Sequence, residues 1–200
     1  MTPEANDGPG VAADPVIGPV PTGSDPDAYD RTRRRVLWSM PSGLYVLGTR
    51  AGSRRNLMTI NWATQLSLEP KLVGVAVERS ALSHALLVDG GVFALSFVPR
   101  AERALVRRFV KPVTDVDIDE GAGRGTMQDE AVRLASTGAP VLDVAAAWLD
   151  CVVRSRVDLG RHTLFVGEVV DCGFGPDGPP PTGERLEVLR MEDTRMNYGG

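Results

Sequence analysis

The chain has few residues that could hold a metal ion or attack a substrate covalently. Its 200 residues include two cysteines and two histidines. Neither a CxxC pair nor a His-rich spacing accompanies them, so a zinc site is not expected. Cys151 and Cys172 each lie in an apolar run, which is typical of small buried cysteines, although a disulfide between neighbouring strands stays open. No Ser/His/Asp or Cys/His set is evident along the chain.

Long apolar runs and an excess of positive charge are also missing. No stretch approaches the length of a membrane span, and residues 1–26 contain no apolar core of a secretory signal. The net charge of −4 argues against a nucleic-acid backbone as the main partner. Neither GxGxxG after a strand nor GxxxxGK[ST] occurs, so a classical dinucleotide or P-loop site is unsupported. The simplest interpretation is a soluble cytoplasmic protein without nucleic-acid or membrane partners.

Composition divides the chain into a tail and one domain. Residues 1–27 are rich in Pro, Gly and Asp and contain almost nothing large and apolar, which predicts a disordered tail. Residues 28–200 form the predicted domain, beginning with a short helix within 27–40 that Asp27 or Asp30 could cap. A content of 42% hydrophobic residues is enough for a sizeable core in a domain of this size.

The rest of the domain alternates strand-like runs with a few short helical ones. Helices are predicted at 79–91 and 100–110, and the acidic, glycine-broken stretch 115–137 is predicted to be a surface loop. Strands are predicted at 44–51, 56–68, 72–78, 92–98, twice within 140–159, and at 162–175. Because most connections are short turns, the pattern favours a mainly β, antiparallel barrel with helical insertions over a doubly wound parallel sheet.

Three stretches could carry a binding site. In "NLMTINWATQLSLEP" (56–70), Asn61, Thr64 and Ser67 could present polar groups to a flat heterocycle, with Trp62 as an apolar wall. The alternative for this stretch is a half-exposed strand whose polar residues face water.

In "VERSALSHALL" (77–87), Arg79, Ser80, Ser83 and His84 cluster where a helix begins, which suggests a phosphate cradle. The alternative is ordinary capping of the helix by Ser80. In "GRHTLFVGEV" (160–169), His162 opens a strand after a tight turn, where it could supply a proton or a hydrogen bond. The alternative is a structural histidine.

Taken together, the three stretches resemble the flavin reductase-like family, whose fold is the FMN-binding split barrel. The matching pattern runs from "GLYVLGTRAGSRRNLMTINWATQLSLEP" through "VERSALSH" to "GRHTLFVGEVVD", within residues 36–175. The resemblance implies a six-stranded antiparallel split barrel of Greek-key type with short flanking helices. It also implies a homodimer that binds FMN, or alternatively FAD, near the subunit interface.

The family's roles transfer to three sets of residues. His162 matches the histidine on the nicotinamide side of the flavin and is the predicted catalytic residue. The resemblance places one segment beside the isoalloxazine and ribityl chain, namely Asn61, Trp62, Ala63, Thr64 and Ser67. It places another at the ribityl phosphate, namely Glu78, Arg79, Ser80, Ser83 and His84.

The implied activity is reduction of FMN or FAD by NADH or NADPH, with the reduced flavin supplied to a monooxygenase partner. Arg161 departs from the family, which usually has Asp just before the histidine. This reversed charge could favour NADPH, or it could alter or abolish nicotinamide turnover. Two alternatives therefore stand: a flavin-binding protein without reductase turnover or with its own substrate at the nicotinamide position, and a split barrel that has lost flavin.

Overall fold

The structure is a computed structural model that describes residues 18–194. The prediction of disorder for residues 1–17 of the tail lies outside the described residues. The first element is α1 (Pro26–Leu37), which belongs to a compact unit ending at Met40. The Asp25 carboxylate caps α1 by accepting a 2.8 Å hydrogen bond from the Ala28 N–H. The predicted helix is therefore confirmed, with its cap slightly earlier than expected.

A second compact unit begins at Pro41 and, in its described part, contains eleven strands that pair only antiparallel. They are β1 (Tyr45–Ala51), β2 (Arg54–Ile60), β3 (Ala63–Ser67), β4 (Leu72–Glu78), β5 (Val92–Phe97), β6 (Val116–Asp119), β7 (Arg124–Met127), β8 (Glu130–Leu134), β9 (Pro140–Leu142), β10 (Ala147–Asp158) and β11 (His162–Phe174). Helix α2 spans Leu82–Gly90, and short 3-10 helices lie at Arg100–Glu102, Leu105–Phe109 and Met191–Asp193.

Seven of the strands form one sheet in the order β2-β1-β5-β10-β11-β4-β3. The edge strands β2 and β3 form no ladder within residues 18–194, yet only Asn61 and Trp62 separate them in sequence. The sheet must therefore curl until its two edges approach each other. The mainly β, antiparallel prediction is confirmed, but the predicted number of six strands is wrong, because the main sheet has seven strands and is split between β2 and β3.

The other four strands form a second sheet in the order β6-β7-β8-β9. The prediction of a surface loop over 115–137 is therefore wrong. A two-residue turn joins β7 to β8, and both of its residues, Gln128 and Asp129, have positive φ (52° and 62°). Such a turn suits a hairpin, but it lacks the Asn-Gly or Asp-Gly pair by which hairpins are usually recognised.

Other connections agree with the sequence. As short turns between predicted strands suggest, β1 and β2 form a hairpin around Gly52, and β10 and β11 form a hairpin around Gly160, whose φ of +77° suits glycine. α2 ends at Gly91 in the left-handed conformation, as expected of a C-cap.

The two cysteines are free and differ in exposure. Cys151 is buried, and burial raises the pKa of its thiol to about 12. Cys172 is exposed, so the expectation of two buried cysteines holds for Cys151 and is wrong for Cys172. The open possibility of a disulfide is thereby decided against.

Hydrophobic packing inside the curled sheet positions the strands that carry the candidate site. Phe93 of β5, Phe165 of β11 and Val75 of β4 are buried in one cluster there. A second cluster fills the space between β1, β2 and the smaller sheet, with Phe109 and Met127 fully buried. No helix within residues 18–194 is both long and apolar enough to cross a bilayer.

Candidate functional site

The two-residue link between β2 and β3 places Trp62 beside His162. The Trp62 carbonyl accepts a 2.9 Å hydrogen bond from the Ala76 N–H of β4, which fixes the link against the sheet. The indole is 43% exposed, and its ring centroid lies 4.8 Å from that of His162 in an edge-on contact. Trp62 therefore offers a partly open aromatic surface next to the predicted catalytic residue.

Pairing of β4 with β11 brings the second and third predicted stretches together. Glu78, the last residue of β4, is directly opposite His162, the first residue of β11. One residue further, the Arg79 N–H donates a 3.0 Å hydrogen bond to the Arg161 carbonyl. The turns at 78–81 and 159–161 are therefore neighbours, although about eighty residues separate them in sequence.

Two ion pairs join these turns. The Arg79 guanidinium lies 2.9 Å from the Asp158 carboxylate, and the Arg161 guanidinium lies 3.4 Å from the Glu78 carboxylate. All four side chains are largely exposed, so each pair contributes only about 0–1 kcal/mol to stability. Their consequence is local: the positive charge of Arg161, which departs from the family's pattern, is offset by Glu78 from the adjacent strand.

His84 lies on the inner side of this junction. Its Nε2 is 2.8 Å from the Thr163 hydroxyl, and its ring contacts the buried Phe165 ring at 5.3 Å between centroids. Desolvation lowers the pKa of His84, as do the charges of Arg79 and Arg156, while Asp158 opposes them. Since an unperturbed histidine already has a pKa of about 6.5, His84 is neutral at pH 7.

The two serines of the helix start have different surroundings. Ser83 is fully buried, and its hydroxyl accepts a 2.9 Å hydrogen bond from the Asn56 amide and lies 3.3 Å from the Thr49 hydroxyl. Its side chain faces inward because Ser83, Leu86 and Leu87 form the buried stripe of α2. The structure therefore does not bring the Ser83 hydroxyl to the surface that carries Arg79 and Ser80.

Ser80 is exposed, and its hydroxyl has no hydrogen-bond partner within the described part of the chain. The prediction that Ser80 caps the helix is wrong, because the N-cap position is occupied by Ala81. Ala81 has no side-chain acceptor, so the first turn of α2 has no side-chain cap.

Two of the predicted residues, both in β3, lie along a cavity rather than at the histidines. Ala63 and Thr64 line a cavity of about 390 Å³ together with Tyr45 and Phe97 from the other side of the split. The Asn61 amide is half-buried and has no hydrogen-bond partner within residues 18–194.

Ser67 is the most distant of the predicted residues. It pairs with Leu72, at the opposite end of β4 from Glu78, which corresponds to about 20 Å along an extended strand. Its partner Leu72 lines the same cavity as Ala63 and Thr64, with which Ser67 was predicted to border the ring and ribityl chain.

Four neighbours of the site were not predicted from the sequence, namely Arg156, Asp158, Thr163 and Phe165. The hairpin register could have identified them. Counting outward from the turn at Gly160 pairs Asp158 with Thr163 and Arg156 with Phe165. Directly paired residues project on the same face of a sheet, so each pair points to the side where His84 lies.

Comparison with known proteins identifies relatives of this arrangement. The family described as "Flavin reductase like domain" matches residues 37–190. The NADH-dependent FAD reductase of Streptomyces globisporus is 32% identical over 81% of this chain and 85% of its own length.

Solved structures agree with the sequence matches. The NADH:FAD oxidoreductase of Streptomyces globisporus C-1027 superposes with a TM-score of 0.63 at 30% identity, over 78% of this chain and 88% of the other. The styrene monooxygenase flavin reductase of Pseudomonas putida superposes with a TM-score of 0.59 at 29% identity, over 72% of this chain and 87% of the other.

We predict that Ser83→Ala lowers the free energy of unfolding by about 1–3 kcal/mol, because the buried Asn56 amide loses an acceptor. Ser80→Ala is the matched control, and its effect should stay within about 0.5 kcal/mol, as at other exposed positions. Urea unfolding of both variants measures the difference. Equal effects of the two substitutions would contradict the assignment of Ser83 to the core.

Proposed function

The chain belongs to the flavin reductase-like family, and we propose that it transfers a hydride from NADH to a bound flavin. The observation that carries the proposal is the junction of β4 and β11. There an exposed aromatic ring, an unpartnered serine beside an uncapped helix start, and two histidines lie together. The relatives that match most of the chain are named as NADH-dependent flavin reductases.

The residues present at the junction fit a flavin phosphate. An uncapped helix start carries N–H groups without intrahelical acceptors, and such groups bind anions. The exposed Ser80 hydroxyl adds a donor at this point, and Arg79 and the neutral His84 add further ones. We assign Glu78, Arg79, Ser80 and His84 to the phosphate end.

The residues of the link fit the ring and the ribityl chain. The half-buried Asn61 amide has donors and an acceptor without protein partners, as expected of groups that a ligand satisfies. Trp62 provides an aromatic surface, and Ala63 and Thr64 line the cavity of about 390 Å³. We therefore assign these four residues to the ring and ribityl chain. Ser83 supports the site from inside through Asn56. Ser67 stays assigned to the ring and ribityl chain, because its partner Leu72 lines the same cavity as Ala63 and Thr64.

Catalysis by this chain is mainly a matter of position. When bound, the flavin supplies the hydride acceptor, so no protein nucleophile is required. The Trp62 ring contacts the His162 ring in an edge-on arrangement, which restricts the orientation of the imidazole. Pairing of His162 with Glu78 fixes the start of β11. We assign to His162 the role of a hydrogen-bond donor that orients the nicotinamide beside the flavin.

The surroundings of Arg161 favour NADH as the donor. A 2′-phosphate would bind Arg161 only in competition with the Glu78 carboxylate, which already lies 3.4 Å away. Because Glu78 offsets the positive charge of Arg161, the arginine at this position gives no strong reason to expect altered turnover of the nicotinamide. Passage of the reduced flavin to an oxygenase partner follows by analogy with the relative named as a monooxygenase flavin reductase.

We predict that the purified protein binds FMN or FAD, and that NADH added without oxygen bleaches the visible absorbance of the bound flavin. NADPH should bleach it more slowly, because the 2′-phosphate must displace Glu78 from Arg161. Flavin titration followed by anaerobic stopped-flow absorbance measures both steps. Tight flavin binding without bleaching by either nucleotide would leave a flavin-binding protein with another substrate, and failure to bind flavin would overturn the proposal.

The role of His162 can be separated from flavin binding. His162→Asn should slow reduction by saturating NADH about 100-fold, as expected when a positioned hydrogen-bonding or proton-transferring group is lost. The dissociation constant for FMN should change by less than about threefold, because the phosphate end lies at Ser80 and Arg79. Single-turnover reduction and equilibrium titration of the same variant provide the two readouts. An unchanged rate would remove His162 from the mechanism.

The outward face of the sheet supports a homodimer. Trp62, Leu66 and Leu68 are close in sequence and 43–72% exposed. Leu66 and Leu164 lie over Gly74, where a Cβ atom would approach their methyl groups to 2.7 and 3.1 Å. This continuous apolar area next to the candidate site is what a subunit interface would cover.

We predict that the wild-type protein has the mass of two 21.4 kDa chains in solution and that Leu66→Glu shifts it to one chain. A buried carboxylate without a partner opposes association. Val110→Glu is the control, since Val110 is similarly exposed (49% against 46%) on the 3-10 helix side. Light scattering after size-exclusion chromatography measures the mass. A wild-type monomer would contradict the dimer, and so would a dimer that survives Leu66→Glu.

A further inference from the structure

We infer that Arg156 binds the phosphate of the flavin and selects phosphorylated flavins over riboflavin. The inference rests on the proposed function and adds a residue that neither the sequence pattern nor the family's motifs single out. It follows from the position of Arg156 in the hairpin of β10 and β11 and from the charges around it.

Strand register places Arg156 on the side of His84. Arg156 is directly opposite Phe165, so the two side chains project on the same face of the sheet. The Phe165 ring contacts the His84 ring at 5.3 Å between centroids. Asp158, two residues further along β10, projects on this face as well and pairs with Arg79. Arg156 therefore adjoins the residues assigned to the phosphate end.

Among residues 18–194, the other arginines of this hairpin and junction have carboxylate partners, whereas Arg156 has none. Arg79 pairs with Asp158, Arg161 with Glu78, and Arg154 with Glu168. Arg156 has no ion pair and no side-chain hydrogen bond within the described residues. The pKa of His84 is lowered by desolvation and then by the charges of Arg79 and Arg156. The charge of Arg156 therefore acts on a residue of the junction.

The chemistry of a phosphate monoester matches this arrangement. Such a group carries a charge of about −1.5 to −2 at pH 7 and three acceptor oxygens. Arg79 alone offers it little net charge, because Asp158 lies 2.9 Å from the Arg79 guanidinium. A guanidinium that is free to form two parallel hydrogen bonds supplies both the charge and the geometry. Riboflavin lacks the phosphate and gains nothing from Arg156.

The test is titration of FMN and riboflavin into wild-type protein and Arg156→Gln. We expect the FMN dissociation constant to rise about tenfold or more, as for a lost charge-assisted hydrogen bond, while that of riboflavin changes by less than about twofold. The variant should also show a weaker dependence of FMN binding on salt. Arg156→Lys should restore part of the FMN affinity, because it keeps the charge without the fork of donors.

Arg154→Gln is the matched control. It removes the same charge two positions away on β10, from an arginine that is already paired with Glu168, and FMN affinity should change by less than about twofold. Urea midpoints of both variants verify folding, since both side chains are exposed.

Three results would overturn the inference: equal weakening of FMN and riboflavin by Arg156→Gln, equal weakening of FMN by the two variants, or unchanged FMN binding. Wild-type protein that binds neither flavin would overturn the proposed function itself. Wild-type protein that binds both flavins equally well would overturn only the role of Arg156.

Discussion

The arrangement of the sheet depends on one covalent constraint, the link of Asn61 and Trp62 between β2 and β3. These strands are the two edges of a seven-stranded sheet, and three peptide units can span only about 11 Å. A flat sheet would place the edges of seven strands far further apart, since neighbouring strands are about 4.8 Å from one another. The sheet therefore curls around its buried phenylalanines, and the curled sheet encloses a cavity lined by residues such as Tyr45, Ala63 and Leu149 from strands across the sheet.

Buried polar contacts connect β2 of the curved sheet to α2. The Asn56 side chain donates to the Ser83 hydroxyl and accepts from the Val113 N–H, at 2.9 Å in both cases. The Thr59 hydroxyl donates to the Val106 carbonyl. Because unsatisfied buried polar groups are costly, these contacts hold α2 and the neighbouring 3-10 helix in one position against β2. The polar residues of the stretch 56–70 therefore have two roles. Asn56 and Thr59 bind the helices by hydrogen bonds, and the Asn61 amide is available to a ligand.

Electrostatic balance at the junction explains how an arginine can stand beside His162. Glu78 offsets Arg161 across the β4–β11 pair, and Asp158 offsets Arg79 across the neighbouring turn. The carboxylate that the family usually places next to the histidine is thus replaced by one on another strand. Arg156 has no carboxylate partner within residues 18–194. In our proposal, the phosphate of the flavin forms an ion pair with it.

Local patterns were sufficient for much of the fold. The helices at 26–37 and 82–90 follow from their periodicity and flanking residues, and the hairpins around Gly52 and Gly160 follow from short glycine turns between apolar runs. The strands β6 to β8 did not follow, because the turn at Gln128 and Asp129 carries no glycine signal. For the site, the resemblance of three separate stretches predicted the family, and the match over residues 37–190 confirms it.

The sequence by itself determined most of the strands of the larger sheet, the hairpins at its short glycine turns and the family to which the chain belongs, because these depend on local composition and spacing. Only the tertiary structure decided which of the candidate residues meet. It buried Ser83 in the core, set Ser67 at the far end of β4, and placed Asp158 and Arg156 on the face of β10 that Thr163 and Phe165 share across the hairpin. The physical reason is that strand register and the face of a helix are settled by packing between segments distant in sequence, which no single segment encodes.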